Sequence, residues 1–272
     1  MPELPEVKTV VKHLNNHIIN QTIIDVIINK PKLIKEIDGK KFKEMVINKK
    51  IKNIENYGKF IVFGFNDDLI MLSHLRMEGK YRIENSFNNI QTHDYIIFKL
   101  ANKNYLIYND SRQFGTFHLR NKDNYKKTNP LVKVAPEPHQ IYIDDVYKKI
   151  QKKRISIKSA LLDQTIMAGL GNIYVNEVLW KVKINPEKKT QLITLDELTH
   201  IINTSICILD QATALGGTTI KSFISFDKNV GQYQQFLQVH NKFNQPCARC
   251  QTLISKKSVG GRGTYYCPKC QF

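Results

Sequence analysis

Along the first twenty residues the apolar positions Val7, Val10, Val11, Leu14 and Ile18 recur at helical spacing, so the chain is expected to open with an amphipathic helix. Pro5 suits its first turn, and Glu3 and Glu6 sit near the positive end of the helix dipole. From about residue 22 to 120 the texture changes to short β-branched and aromatic runs, at residues 23–28, 60–65, 95–100 and 105–108. Asn, Asp and Gly turns separate them, which predicts a β-sandwich or barrel. Residues 129–138, with three prolines, read as a hinge or linker. Beyond it the period is helical again, over residues 146–164, 173–182 and 195–215, the last run ending at Gly216-Gly217. The tail from Gln245 reads as a cysteine-bearing hairpin, and no internal repeat is present. The pattern predicts a β-rich N-terminal domain and a helical C-terminal domain with a small module at its end.

Composition narrows this picture through charge. The 272 residues are 42% hydrophobic and 24% charged, ordinary for a globular chain and unlike a disordered one. With 41 Lys+Arg against 24 Asp+Glu, the formal net charge is +17. An excess of that size favours an anionic polymer as partner, with nucleic acid the usual one, although a generally basic surface would give the same total. No run approaches the roughly 18 apolar residues of a membrane span. The opening Met-Pro-Glu-Leu-Pro-Glu-Val is acidic where an export signal is basic, so a cytoplasmic protein is expected.

Four of the five cysteines, Cys247, Cys250, Cys267 and Cys270, form two Cys-x-x-Cys pairs near the end of the chain. Two such turns close a tetrahedral four-thiolate shell around one zinc ion. A closed shell leaves no place for water, so the zinc is expected to be structural and to replace a core that so short a segment cannot supply. From Lys228 to Phe272 there are seven Lys/Arg and no Asp or Glu. Between the pairs lies Gly260-Gly261-Arg262-Gly263-Thr264, a hairpin tip that lets backbone approach a phosphate while Arg262 clamps it. A solvated surface loop is the plainer alternative.

Position 2 carries further chemistry. Proline there permits removal of Met1, which exposes a secondary amine. An α-amino group of pKa ~8 is roughly 20% unprotonated near neutral pH, against about 0.1% for lysine. Attack by a secondary amine on a sugar C1′ gives an iminium ion, an electron sink suited to elimination, and Glu3 stands beside it as a carboxylate able to shuttle protons. Taken alone, Pro2 and Pro5 also read as ordinary helix-entry residues.

Seven ordered motifs then coincide. They are the opening heptapeptide, Tyr57-Gly58-Lys59-Phe60, His74-Leu75-Arg76-Met77-Glu78-Gly79, Asp110-Ser111-Arg112-Gln113-Phe114-Gly115, Gly169-Leu170-Gly171-Asn172-Ile173-Tyr174, Gly216-Gly217-Thr218-Thr219-Ile220-Lys221 and the four-cysteine hairpin with Arg262. Together they cover nearly the whole chain, which resembles the formamidopyrimidine-DNA glycosylases, bacterial enzymes that excise 8-oxoguanine. The resemblance implies an α+β multidomain fold: an N-terminal β-sandwich with a flanking N-terminal helix over 1–130, a linker over 131–143, a helix-two-turn-helix domain over 144–240 and a four-cysteine zinc finger over 241–272.

It also implies roles. Pro2 would be the Schiff-base nucleophile and Glu3 the general acid/base, with Glu6 a nearby carboxylate. Lys59 would assist β-elimination and Arg262 δ-elimination. Met77, Arg112 and Phe114 resemble the triad that fills the void left by an extruded base. Asn172, at a Gly-x-Gly-Asn helix start, resembles a phosphate anchor. His74, His93, Lys153 and Lys158 resemble further DNA-contacting positions. The loop 218–231, with Thr218, Thr219 and Lys221, resembles the segment that closes over the damaged base. Gln113 departs from the pattern, replacing the basic residue common between the wedge arginine and phenylalanine, and His240-Asn241 stands where Tyr-Gly is frequent. The expected partner is double-stranded DNA with an oxidised base or abasic site, bound by a nucleoid-associated monomer with no membrane contact. An endonuclease VIII-like glycosylase for oxidised pyrimidines and a non-catalytic zinc-ribbon binder are the alternatives. Leu4, the Arg112-x-Phe114 wedge and the loop after Gly217 favour the purine enzyme over the first. The second leaves Pro2, Glu3 and Lys59 without a purpose.

Overall fold

The computed structural model describes residues 2–218 and 231–272; Thr219 and Lys221 lie outside the described residues. The chain divides into two compact units, one of Met1–Val132 with Gly216–Gln232, the other of Lys133–Leu215 with Tyr233–Phe272. Among the described residues no helix is long and apolar enough to cross a membrane.

The first unit opens with helix α1 (Leu4–Ile18), whose buried face is Val7, Val10, Val11, Leu14 and Ile18, the stripe its spacing predicts. Two four-stranded antiparallel sheets follow. One orders β1 (Ile23–Ile28), β6 (Asp94–Leu100), β7 (Tyr105–Asn109) and β5 (Lys80–Glu84); the other orders β2 (Ile51–Tyr57), β3 (Phe60–Phe65), β4 (Leu69–His74) and β8 (Thr116–Asn121). Aromatic rings join the sheets across the core: Phe63 meets Tyr81 at 5.9 Å and Tyr108 meets Phe117 at 4.9 Å between centroids. This is a β-sandwich, with α1 lying against β2 and β3.

One element departs from the strand texture of this region. Helix α2 (Gly39–Val46) interrupts it, started by the Asp38 carboxylate, which accepts the Lys41 N–H at 2.8 Å, and anchored by Phe42 and Val46 one turn apart. With only Phe42, Met45 and Val46 apolar, the helix shows a single turn of its stripe, too short a window for a periodicity argument to find.

The second unit is built on α5 (Asn172–Lys181), buried from Ile173 to Trp180 and flanked by α4 (Ile157–Leu162) and α6 (Leu195–Ala214). The helical run expected over 146–164 is broken into α3 (Ile143–Gln151) and α4. Between them Ile155 accepts the Thr190 N–H at 3.0 Å and Ser156 bridges to Lys189, which draws the chain extended; the Ser156 hydroxyl then caps α4. Periodicity does not register such a break, because Ile157, seven positions after Ile150, keeps the helical phase through it.

Buried polar groups hold the end of the chain to α5. Glu177 is buried and accepts three backbone N–H groups, from Gln238, Val239 and His240, at 2.7–3.0 Å. His240 turns inward, its Nδ1 2.9 Å from Asn176 Nδ2 and its ring against Tyr265. Strands β9 (Ser255–Val259) and β10 (Arg262–Tyr266) form the terminal hairpin. Gly260 and Gly261, at φ of 57° and 72°, make the two-residue turn with positive φ at both positions that such a hairpin favours.

Two outcomes follow. A Cβ on Gly115 would stand 1.7 Å from the Tyr108 hydroxyl oxygen, whereas one on Gly39 meets nothing closer than 3.5 Å. Gly115→Ala should therefore lower stability by about 1–3 kcal/mol in urea unfolding, and Gly39→Ala should leave it nearly unchanged. Burial, with the Lys158 charge adding to it, also lowers the His240 imidazole to about 4. The unfolded chain then takes up the proton first, so stability is lost as pH falls from about 6.5 towards that value, by up to about 3 kcal/mol. His74 and His118 are lowered by burial too and act in the same direction. Unfolding at pH values on either side of that window should show a smaller pH dependence in His240→Phe than in the unchanged protein; equal slopes would contradict the assignment.

Candidate active site and DNA-binding residues

The two residues read as nucleophile and acid/base lie at the mouth of α1. Pro2 is buried, and Glu3 is 2% exposed at the N-cap in extended backbone. Glu6, one turn in, divides its carboxylate between two jobs. Oε2 accepts the Glu3 N–H at 2.8 Å, and Oε1 accepts the Thr218 N–H at 2.8 Å and its hydroxyl at 3.2 Å. Glu6 thus joins the backbone that carries Pro2 and Glu3 to the start of the 218–231 segment. Both ends of that segment are held together, since Thr218 bridges to Gln232, and Gly231 lies so close to the Gly217 carbonyl that a Cβ would stand 2.3 Å from it.

Lys59 sits in the Gly58-Lys59 turn between the paired Tyr57 and Phe60, and is 5% exposed. Phe60 pairs in register with His74, and their rings meet edge-on at 4.5 Å. The His74 Nδ1 accepts the Arg76 N–H at 2.9 Å, which leaves its ring proton on Nε2. Burial, with the Arg76 and Lys59 charges nearby, holds this imidazole well below its ordinary range and therefore neutral. Lys59 and His74 are thus brought into one neighbourhood as a cation and a neutral donor.

The three residues read as void-filling occupy two loops. Met77 lies half-buried in the turn between β4 and β5, and Arg112 and Phe114 in the loop between β7 and β8. Phe114 is 53% exposed, a large cost for a phenyl ring in water, and the Arg112 guanidinium lies over it at 5.0 Å. Asp110 shapes the loop from within, accepting the N–H groups of Arg112 at 3.2 Å and Gly115 at 2.8 Å. The buried Tyr108 hydroxyl donates to the same carboxylate and fits between Gly79 and Gly115, where either added Cβ would overlap it. Ser111 also hydrogen-bonds Glu78 across the two loops. Met77 and the Arg112–Phe114 pair are therefore fixed to each other by groups beneath them.

In the second unit the predicted residues separate into surface and interior. Arg262 is exposed just past the Gly260-Gly261 turn. Lys153 is half-exposed and pairs with Asp163 at 3.1 Å. Asn172 opens α5, and its Nδ2 donates to the Gly263 carbonyl at 3.0 Å. Lys158, expected to contact DNA, is instead 0% exposed, its ammonium held by Asn176 Oδ1 at 2.8 Å, Thr264 Oγ1 at 2.7 Å and the Gly263 carbonyl at 3.2 Å. As placed, it docks the Arg262 hairpin onto α4 and α5. A lysine's burial has no signature in its own sequence neighbourhood, and the same holds for the inward turn of His240.

The four cysteine sulfurs all lie within 4.8 Å of one another. Tetrahedral zinc–sulfur bonds of about 2.3 Å need sulfurs about 3.8 Å apart, so this donor set fits one zinc ion. Trp180 Nε1 donates to Cys247 Sγ at 3.4 Å, while Arg249 stacks on the Trp180 ring at 3.9 Å and donates to the last carbonyls of α5, from Trp180 and Lys181. The site is closed by four thiolates and seated on a helix end, as a structural zinc requires. His93 is exposed at φ 74°, at the start of β6. Tyr95 and Tyr108 support the loop of Arg112 and Phe114, and Glu177 holds residues 238–240; none of the three was legible in sequence, because only the fold supplies these contacts.

Three family models match successive parts of the chain: a formamidopyrimidine-DNA glycosylase N-terminal domain over residues 1–117, a formamidopyrimidine-DNA glycosylase H2TH domain over 134–224, and a zinc finger found in FPG and IleRS over 244–271. The formamidopyrimidine-DNA glycosylase of Mycoplasma mobile is 49% identical over 100% of this chain and 99% of its own. Lactococcus lactis FPG, solved with a Fapy-dG containing DNA, superposes with a TM-score of 0.94 at 39% identity, covering 99% of each chain. MutM in complex with carbocyclic 8-oxo-G containing DNA gives 0.93 at 38% identity, again over 99% of each. With matches of this identity running over the whole of the chain and of its relatives, the chain belongs to the formamidopyrimidine-DNA glycosylase family.

Proposed function

We propose that this chain is a bifunctional DNA glycosylase/AP lyase of base excision repair that removes oxidised purines, 8-oxoguanine and formamidopyrimidines, from duplex DNA. The observation that carries the reading is the N-terminus: Pro2 and Glu3 are buried side by side, with the Glu3 backbone held by Glu6. Once Met1 is removed, the Pro2 nitrogen attacks C1′ and the glycosidic bond breaks. The base leaves with the bonding pair and a proton, and Glu3 assists ring opening to the iminium. Loss of a C2′ proton then expels the 3′-phosphate, with Lys59 assisting. Loss of a C4′ proton expels the 5′-phosphate, with Arg262 assisting, and leaves a one-nucleotide gap; water then hydrolyses the iminium, releasing the unsaturated sugar fragment as an aldehyde and freeing the Pro2 amine.

Extrusion of the base costs a few kcal/mol, and Met77, Arg112 and Phe114 fill the hole it leaves. Their exposure, and their fixation by Tyr108 and Asp110, suit insertion without further ordering. Arg112 supplies donors for the orphaned cytosine. Asn172, Arg262, Lys153, His74 and His93 bind phosphates, and Thr218, Thr219 and Lys221 belong to the segment over the damaged base. The formal charge of +17 supplies the sequence-independent part of the affinity. Such work is done at the chromosome, which in a bacterial cell means the cytoplasmic nucleoid.

Borohydride trapping on a duplex with one 8-oxoguanine opposite cytosine should give a covalent adduct on the Pro2 nitrogen, strongly reduced in Pro2→Gly. Trapping only with an oxidised-pyrimidine duplex would move the assignment to the endonuclease VIII-like reading. Absence of any adduct with tight DNA binding would leave a non-catalytic binder. Chelation of the zinc should weaken binding to an abasic-site duplex roughly tenfold or more, because the hairpin that presents Arg262 loses its frame. The β-sheet circular dichroism of the first unit should persist, and unchanged binding after verified zinc loss would refute the role given to the hairpin.

A further inference from the structure

The entry to β6 carries a set of contacts that the proposed chemistry does not use. His93 has a φ of 74°, a left-handed backbone uncommon outside glycine. Asp94, next to it, locks that turn: its carboxylate holds Arg82 and accepts the Gln91 N–H at 2.6 Å and Asn109 Nδ2 at 2.7 Å. The register between β6 and β7 then shifts, with Asp94 opposite Asn109 and Ile96 opposite Tyr108, so Tyr95 is the extra residue of a bulge. A bulge re-aims a side chain. Here it brings the Tyr95 hydroxyl within 3.0 Å of His93 Nδ1 and within 2.9 Å of Gln113 Nε2. Gln113 lies between Arg112 and Phe114, at a φ of 58°.

Counting protons gives each bond a direction. An amide Nε2 can only donate, so the Tyr95 oxygen accepts from Gln113. The hydroxyl's single proton is then available to His93 Nδ1, and the neutral imidazole carries its own proton on Nε2, away from the tyrosine. We propose that Tyr95 is a positioning residue that sets the tautomer of His93, presenting Nε2–H as a donor to a DNA phosphate, and that Gln113 ties this setting to the wedge loop. The naming of phosphate as the acceptor rests on the function proposed above; the tautomer does not. The relay also gives Gln113 a task at a position where a basic residue is common: in place of a charge, it supplies a fixed donor to the hydroxyl that orients a neighbouring histidine.

The test reads the histidine directly. Nitrogen-15 spectra of the free protein at about pH 8, where an ordinary imidazole is neutral, should show His93 with its proton on Nε2. Tyr95→Phe, which keeps the ring and loses the hydroxyl, should give a mixture of tautomers. Gln113→Glu should invert the preference, because the carboxylate takes the tyrosine proton and His93 Nδ1 must then donate to the oxygen. A wild-type Nδ1–H tautomer, or a tautomer unchanged in both variants, would overturn the proposal. On a duplex with a tetrahydrofuran abasic analogue, Tyr95→Phe should raise Kd about twofold, because only about half of the His93 rings then hold the proton on Nε2. The salt dependence should stay the same, because no charge is removed. An unchanged Kd, or an altered salt slope, would refute the link to phosphate. If the unaltered protein showed no preference for that duplex over undamaged DNA, the functional reading would fall, while the tautomer measurement would still decide the relay.

Discussion

A charged or polar group taken out of water must find its hydrogen bonds inside the protein, and this requirement organises both units more than the apolar cores do. The carboxylates of Glu6, Asp94, Asp110 and Glu177 and the ammonium of Lys158 are buried, and each finds its partners inside the protein, distant in sequence for Glu177 and Lys158 and within five residues for Asp110. Burial makes the bonds strong and their loss expensive, so each group acts as a rigid node. The functional loops hang from these nodes.

The consequences differ with the node. Glu6 divides its two oxygens between the Glu3 N–H and Thr218, and so braces the backbone that carries Pro2 and Glu3. Asp110 and Tyr108 hold together the two loops that carry Met77, Arg112 and Phe114. Glu177 fixes residues 238–240 to α5 by binding their backbone N–H groups, and Lys158 holds the terminal hairpin through a carbonyl and a hydroxyl. The zinc ion supplies the hairpin with the internal frame that its few apolar residues cannot. In each case a buried neighbour holds the backbone or loop that carries a candidate functional residue, which lowers the ordering cost of binding there.

Much of the fold was legible along the chain, and for a local reason. The α1 stripe, the strands at residues 23–28 and 60–65 and the long α6 are set by periodicity, which each segment carries within itself. The cysteine spacing specified a four-thiolate site because ligand geometry is short-range. Pro2, Glu3, Lys59, Arg112 and Arg262 were legible as candidates through motif order, since their chemistry depends on residue type. The break between α3 and α4 was not legible, because Ile155 and Ser156 are drawn out by Lys189 and Thr190, more than thirty positions away.

The sequence by itself determined the elements, the metal-binding set, the charge that suits a polyanion and the residues equipped for amine chemistry, all properties of a residue or a short window. Only the tertiary structure decided which polar side chains face water and which become struts. It turned Lys158 and His240 inward, divided Glu6 between two backbones and placed Tyr95 and Tyr108 beneath the residues they support. The reason is physical: a hydrogen bond between buried groups requires both partners at about 3 Å, and for residues distant in sequence that closeness exists only once the chain has folded.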